Sequence, residues 1–114
     1  MTKQNIDWDA LGFGVYPTRS MWQSTCPING DWADGSLIPY GNIEISPAAG
    51  VLNYGQGVFE GMKAYHSAKD RIVLFRPNMN GKRIANSSHR LCMPELKTDY
   101  FLNAVEQVVS DNSD

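Results

Sequence analysis

The clearest hydrophobic period lies near the end of the chain. Phe101, Ala104, Val105 and Val108 recur at i, i+3, i+4 and i+7, the spacing of one helical face, and Thr98 stands where an N-cap belongs. That face is suited to core packing. Upstream, Arg76-Pro77 predicts a second helix running to about Leu91, because proline's fixed φ suits a first helical turn and keeps the preceding residue out of the helical region. Its interior is polar. Ile84, Ser88 and Leu91 fall on one side, and Met79, Arg83, Asn86 and Arg90 fall near another. Such a face is usually solvated, but it also suits a polar ligand.

Ahead of that helix, the apolar-rich runs Val58 to Tyr65 and Arg71 to Phe75 are joined by the short polar link Ser67-Ala68-Lys69-Asp70. Two strands so connected are most simply an antiparallel hairpin. A further strand is expected over Arg19 to Thr25, with short edge segments at Leu37 to Tyr40 and Ile43 to Ile45. Ser46 as N-cap and Pro47 at the first helical position predict a short helix that Gly55 stops. Asp7 to Gly14 reads as an extended arm in which Gly12 and Gly14 bracket Phe13. The resulting fold class is α+β, an antiparallel sheet with flanking helices.

Composition narrows the function classes. The 114 residues are 42% hydrophobic and 19% charged, an ordinary globular balance. Ten basic against twelve acidic side chains give a net charge of -2, which argues against a nucleic-acid groove or a polybasic membrane patch. No apolar run reaches the roughly 18 residues that a bilayer requires, and Met1 to Asn5 lacks the apolar core of a signal peptide. Cys26 and Cys92 lie far apart and outside any CxxC pair, so two reduced thiols in a cytoplasmic compartment are expected. A domain of this size buries only about two-thirds of its unfolded surface, which predicts a modest core.

Candidate chemistry concentrates in Asn53 to Gly61. Gly55, Gly57 and Gly61 have the letters of a dinucleotide fingerprint, but a strand follows where that motif needs a helix. The glycines instead permit close backbone approach, with Tyr54 and Phe59 as two aromatic faces beside them. Arg83, on a helix that directly follows a strand, is placed to present a bidentate fork to phosphate or carboxylate. Glu60 reads either as a general base or as a structural hydrogen-bond acceptor. His66 and His89 have no partners at metal-ligand spacing.

Two runs then carry a resemblance. Tyr54-Gly55-Gln56-Gly57-Val58-Phe59-Glu60-Gly61-Met62-Lys63-Ala64-Tyr65, followed by Leu74-Phe75-Arg76-Pro77-Asn78-Met79-Asn80-Gly81-Lys82-Arg83, closely resembles the branched-chain amino acid aminotransferases, fold-type-IV enzymes dependent on pyridoxal phosphate. Asp7 to Gly14, Pro39 to Ile43, Ser46 to Leu52 and Arg90 to Pro94 look like the same family's N-terminal part, so the likeness extends over nearly the whole chain.

The resemblance implies transfer of the amino group of leucine, isoleucine or valine to 2-oxoglutarate, with pyridoxal 5'-phosphate as cofactor and a homodimer as the working assembly. By the same likeness Arg83 binds the cofactor phosphate, while Tyr54, Phe59 and Phe13 line the substrate's side-chain pocket. No catalytic residue is implied within the chain. Lys3, Lys63, Lys69, Lys82 and Lys97 do not match the context of the family's catalytic lysine, which the resemblance puts in a second domain beyond residue 114. Residues 1–114 are thus expected to form the small N-terminal domain without the cofactor-lysine domain, a chain inactive by itself. The alternatives are a D-amino-acid aminotransferase, an aminodeoxychorismate lyase, or a non-catalytic piece of the family. The expected location is cytoplasmic, or organellar in a eukaryotic source. Gly81, inside the motif helix, has no explanation in the sequence.

Overall fold

The computed structural model describes residues 4–114. Its elements run in the order β1 (Ser20–Gln23), β2 (Ser36–Pro39), α1 (Gly50–Tyr54), β3 (Ala64–His66), β4 (Ile72–Leu74), α2 (Pro77–Arg90) and α3 (Thr98–Asp111), after a single 3-10 turn at Trp8–Ala10. The strands form two separate two-stranded antiparallel sheets, β1 with β2 and β3 with β4. The fold is therefore mixed α+β, with two ribbons in place of the single sheet expected.

One half of the molecule is built on β1, β2 and α3. Met21 pairs with Ile38 and Trp22 with Leu37 across the ribbon. Tyr100, in the first turn of α3, meets the Trp22 ring edge-on at a centroid distance of 5.4 Å and the Trp32 ring at 6.3 Å. Such edge-to-face contacts add to area burial because the positive ring edge meets a negative face. At the other end of α3, the buried Ser20 donates its backbone N–H to Asn112 Oδ1 at 3.0 Å, and Asn112 returns Nδ2–H to the Ser20 carbonyl at 3.2 Å. The helix is thus fastened to β1 and its surroundings at both ends.

The other half consists of the β3–β4 hairpin and α2. Asp70 takes a positive φ of 55° in the connecting turn, a conformation that aspartate tolerates. Arg76 then enters α2 at φ 46° and ψ 52°. Pro77 excludes Arg76 from the right-handed helical region, as expected, but the excluded residue takes the left-handed region rather than an extended one. The halves meet where α2 crosses α3. Gly81 is buried there, and a Cβ at that position would lie 3.2 Å from both Phe101 Cδ1 and Thr98 Cγ2. A helical glycine costs about 1 kcal/mol relative to alanine. At Gly81 that cost is the condition for the two helices to approach closely.

Several expected boundaries need correction. The strand expected over Val58 to Tyr65 pairs only from Ala64, because its glycine-rich beginning is bonded elsewhere. Ile43 to Ile45 forms no strand. Ser46 caps a turn, its Oγ accepting from Ala48 N–H at 3.1 Å, and α1 starts three residues later than Pro47. Thr98 is the first helical residue of α3 and Lys97 precedes it without a side-chain cap, because Thr98 turns its methyl toward Gly81. Asp7 accepts from Asp9 N–H at 3.1 Å, which curls part of the expected extended arm into a turn.

The core is thinner than the composition suggested. Among the described residues no hydrophobic side chain is fully buried, although Phe101, Ala104, Val105 and Val108 of α3 are half-buried as the periodicity required. The accessible surface of 9283 Å² compares with roughly 6,200 Å² for a compact monomer of this mass. The radius of gyration, 15.7 Å, likewise exceeds the roughly 13 Å of a compact chain of this length.

The Gly81 contact sets a size threshold. Gly81→Ala gains helix propensity and displaces Phe101 by a few tenths of an ångström, so its stability in urea denaturation stays within about 1 kcal/mol of the parent chain. Gly81→Leu has no space and lowers stability by about 1–3 kcal/mol. Equal stability of the two variants would mean that α2 and α3 do not pack at this point.

Candidate functional site

The site begins where α1 ends. Gly55 terminates that helix in the left-handed conformation, φ 65° and ψ 22°, which releases the chain into the glycine-rich stretch. The stretch then lies along α2 in the opposite direction. Gln56 donates its side-chain amide to the Leu91 carbonyl at the C-terminal end of α2, at 2.9 Å. Glu60 meets Arg83 and Asn80 toward the other end. The spans agree: Gln56 to Glu60 covers about 13 Å of extended chain, and Arg83 to Leu91 covers about 12 Å of helix. An extended segment is thereby fastened to a helix by side chains at both ends, with no ladder partner of its own.

The Glu60 attachment is the denser one. Arg83 donates Nε–H to Glu60 Oε2 at 2.8 Å, and its NH2 group donates to Oε1. Asn80, one helical turn before Arg83, donates Nδ2–H to Glu60 Oε1 at 2.8 Å and to the Gly61 carbonyl at 3.1 Å. The i, i+3 spacing puts Asn80 and Arg83 on one face of α2, so both reach a single carboxylate. These partners leave the Glu60 side chain only 4% exposed, while the Arg83 side chain remains 67% exposed.

Electrostatics follow from this geometry. The Arg83 guanidinium, more strongly than any other neighbour, holds the Glu60 carboxyl down at about 2; burial opposes the shift, and the Asn80 amide reinforces it. Glu60 in return pushes the Arg83 guanidinium above its already high value. A carboxylate so acidic is a feeble base near neutral pH, so of the two readings of Glu60 the hydrogen-bond acceptor is the one that holds.

The aromatic candidates face solvent. Tyr54 ends α1 and is 89% exposed, Phe59 is equally exposed, and Phe13 on the N-terminal arm is fully exposed. Successive side chains alternate in an extended segment, so Glu60 turns toward α2 and Phe59 away from it. Among the described residues the paired rings are Trp22, Tyr100 and Trp32, and none of them joins Phe13, Tyr54 or Phe59. A cavity of about 200 Å³ lined by Ile6, Trp8, Tyr16, Arg19 and Asn112 contains none of the candidate residues. His66 pairs with Asp70 at 2.8 Å and His89 with Glu95 at 2.9 Å, and no metal-binding cluster occurs among the described residues.

A guanidinium carries five N–H donors. With two directed at Glu60, the outer edge of Arg83 retains donors for an anion of phosphate type. That donor set suits the phosphate end of pyridoxal phosphate. The described residues supply no enclosure for the ring. The sequence singled out Arg83 as a candidate for anion binding, but its pairing with Glu60 and Asn80 was not legible there. The available signal was an acid in the first motif facing an amide and an arginine spaced i, i+3 in the second.

Comparison with known proteins gives this arrangement its context. No family model matches the chain. Its curated relatives are aminotransferases. It is 49% identical over 107 residues to branched-chain-amino-acid aminotransferase 5, chloroplastic, of Arabidopsis thaliana, a match covering 94% of this chain and 26% of that protein. It is 47% identical over 108 residues to the mitochondrial branched-chain amino acid aminotransferase 1 of Humulus lupulus, covering 95% and 28%. It is 38% identical over 108 residues to an Arabidopsis thaliana methionine aminotransferase, covering 95% and 30%. The chain is thus a homologue of the branched-chain amino acid aminotransferases, and it spans about a quarter of the length of the curated relatives it matches.

The Glu60 pair makes a pH-dependent contribution with a defined sign. The folded carboxyl titrates at about 2 and the ordinary value is 4.5, so between those values the unfolded chain binds more protons than the folded one. The stabilisation is complete above about pH 4.5 and is lost as pH falls toward 2. Carbon-detected NMR of the Glu60 carboxyl checks this, with a midpoint near 2 in the parent chain and a rise toward 4.5 in Arg83→Ala. A parent midpoint near 4.5 would show that the pair does not form.

Proposed function

We propose that residues 1–114 form the small N-terminal domain of a branched-chain amino acid aminotransferase. In this reading Arg83 binds the phosphate of pyridoxal 5'-phosphate, and Tyr54, Phe59 and Phe13 form the apolar wall that receives the substrate's side chain. The observation that carries it is the open outer edge of Arg83, on a helix matched within a likeness of 49% identity to an enzyme named for this activity.

Pyridoxal phosphate, when bound, supplies the electron sink that lets an amino group pass between an amino acid and a 2-oxo acid. The residues of this chain bind and shield. Arg83 neutralises the phosphate and fixes one end of the cofactor; Phe13, Tyr54 and Phe59 exclude water from the aliphatic side chain of leucine, isoleucine or valine. Neighbouring aliphatic substrates differ by about 1–3 kcal/mol in such a pocket, so one site serves all three. The exposure of the three aromatic side chains supports this reading, because a wall that waits for ligand and further protein has apolar surface to cover. The catalytic lysine, the second domain and the homodimer partner belong to the proposal. So does the compartment, cytoplasmic or organellar and reducing, in which Cys26 and Cys92 stay unbridged.

A second reading, a methionine-directed enzyme of the same kind, is favoured by the relative that is named for methionine. An unbranched thioether is close to leucine in bulk and fills irregular apolar pockets.

Replacing the matching segment of the chloroplastic Arabidopsis enzyme with this chain tests both readings. The hybrid transaminates leucine, isoleucine and valine with 2-oxoglutarate, and Arg83→Ala weakens its pyridoxal phosphate affinity about 10- to 100-fold, the value of a charge-assisted hydrogen bond. Phe59→Ala raises KM for leucine more than it lowers kcat. A hybrid that turned over methionine best would select the second reading, and unchanged cofactor affinity in Arg83→Ala would remove the phosphate role.

A further inference from the structure

We propose that Glu60 is the positioning residue of Arg83. Its carboxylate, itself held by Asn80, fixes the guanidinium side-on, so that the opposite edge is presented as a preformed fork for a phosphate group. This inference rests on the reading of Arg83 as a phosphate ligand and adds the device that aims it.

The hydrogen bonds define the orientation. Glu60 takes Nε–H and one N–H of NH2, which occupies the side edge of the guanidinium plane. The donors left over are both N–H bonds of NH1 and the second N–H of NH2. One from each nitrogen points outward, nearly parallel, at a separation that matches two oxygens of a phosphate. The carboxylate cannot follow a moving guanidinium, because Asn80 holds Oε1 and also the carbonyl of the next residue, Gly61. Arg83 therefore conforms to Glu60, rather than the reverse. The exposure values fit this division, with the acid covered at 4% and the arginine open at 67%. An unrestrained arginine would have to lose its rotamer freedom when it bound the anion, whereas this one is ordered beforehand.

The proposal has a sign that a purely Coulombic account lacks. Glu60 carries a negative charge next to an anion site, so if it acted only through its charge, Glu60→Gln would strengthen phosphate binding. If it positions Arg83, the same substitution weakens binding despite removing the negative charge.

The test uses the full chain labelled with nitrogen-15, titrated with inorganic phosphate and with pyridoxal 5'-phosphate, with pyridoxal as the control that has no phosphate. The Arg83 Nε–H cross-peak is the readout. Phosphate and pyridoxal 5'-phosphate shift that peak in the parent chain, and pyridoxal does not. Glu60→Gln weakens phosphate binding about tenfold, the size by which outer partners of a ligating group ordinarily matter, and accelerates exchange of the Arg83 Nε proton with water. In an Arg83→Lys background, which has no fork to aim and in which the backbone amide cross-peaks of α2 report phosphate binding instead, Glu60→Gln produces no further weakening. Amide cross-peaks of α2 and α3 report that the variant is folded; if Glu60→Gln is not, Asn80→Ala, which keeps the carboxylate but frees it, decides by the same weakening. Phosphate binding that is unchanged or tighter in the folded variant overturns the positioning role and leaves Arg83 as a ligand. No phosphate-dependent shift at Arg83 in the parent chain overturns the ligand reading and the positioning role together.

Discussion

The pairing of one carboxylate with one helix face is the constraint on which this architecture depends. The segment from Gln56 to Gly61 has no strand partner, and among the described residues nothing apolar is buried fully enough to hold it. It stays along α2 because Gln56 donates to the Leu91 carbonyl at the helix's C-terminal end and Glu60 accepts from Asn80 and Arg83. An exposed ion pair contributes little to stability, but the Glu60 carboxylate is covered and accepts from two side chains of one rigid element. The same attachment turns Phe59 outward and holds the Arg83 guanidinium side-on to the carboxylate. Local structure and candidate chemistry thus have one physical origin.

Gly81 supplies the complementary constraint. Its missing side chain lets Phe101 and Thr98 approach α2, which joins the Glu60 site to the α3 and β1–β2 half. That half is conventional, with a T-shaped Trp22–Tyr100 contact and paired caps between Ser20 and Asn112. Together they form a scaffold that holds one helix rigidly while leaving much apolar surface in water. The accessible surface is about half again that of a compact monomer of this mass.

Periodic elements were legible in the sequence because their signals are local. The i, i+3, i+4, i+7 pattern located α3, Pro77 located α2, the Ser67–Asp70 link located the hairpin, and Gly55 located the end of α1. Elements decided by distant contacts were not legible. Ala64 begins β3 because the residues before it are bonded to a helix 20 or more positions away, and Thr98 does not cap because Gly81 draws its methyl inward. Arg83 could be singled out by residue type and setting. Its partner could not, since a glutamate beside a glycine has the same appearance whether it is a base or an anchor. The aromatic candidates were legible only through the family likeness, and the structure places them in solvent, where neither spacing nor burial sets them apart.

The most direct test of this account is a scalar coupling measured through the hydrogen bond between Arg83 Nε and the Glu60 carboxyl carbon, on the labelled chain near neutral pH. A resolved coupling, absent in Glu60→Gln, is the predicted result. An uncoupled and rapidly exchanging Arg83 Nε proton, with α2 still folded, would contradict the claim that Glu60 anchors the glycine-rich stretch and orients the arginine.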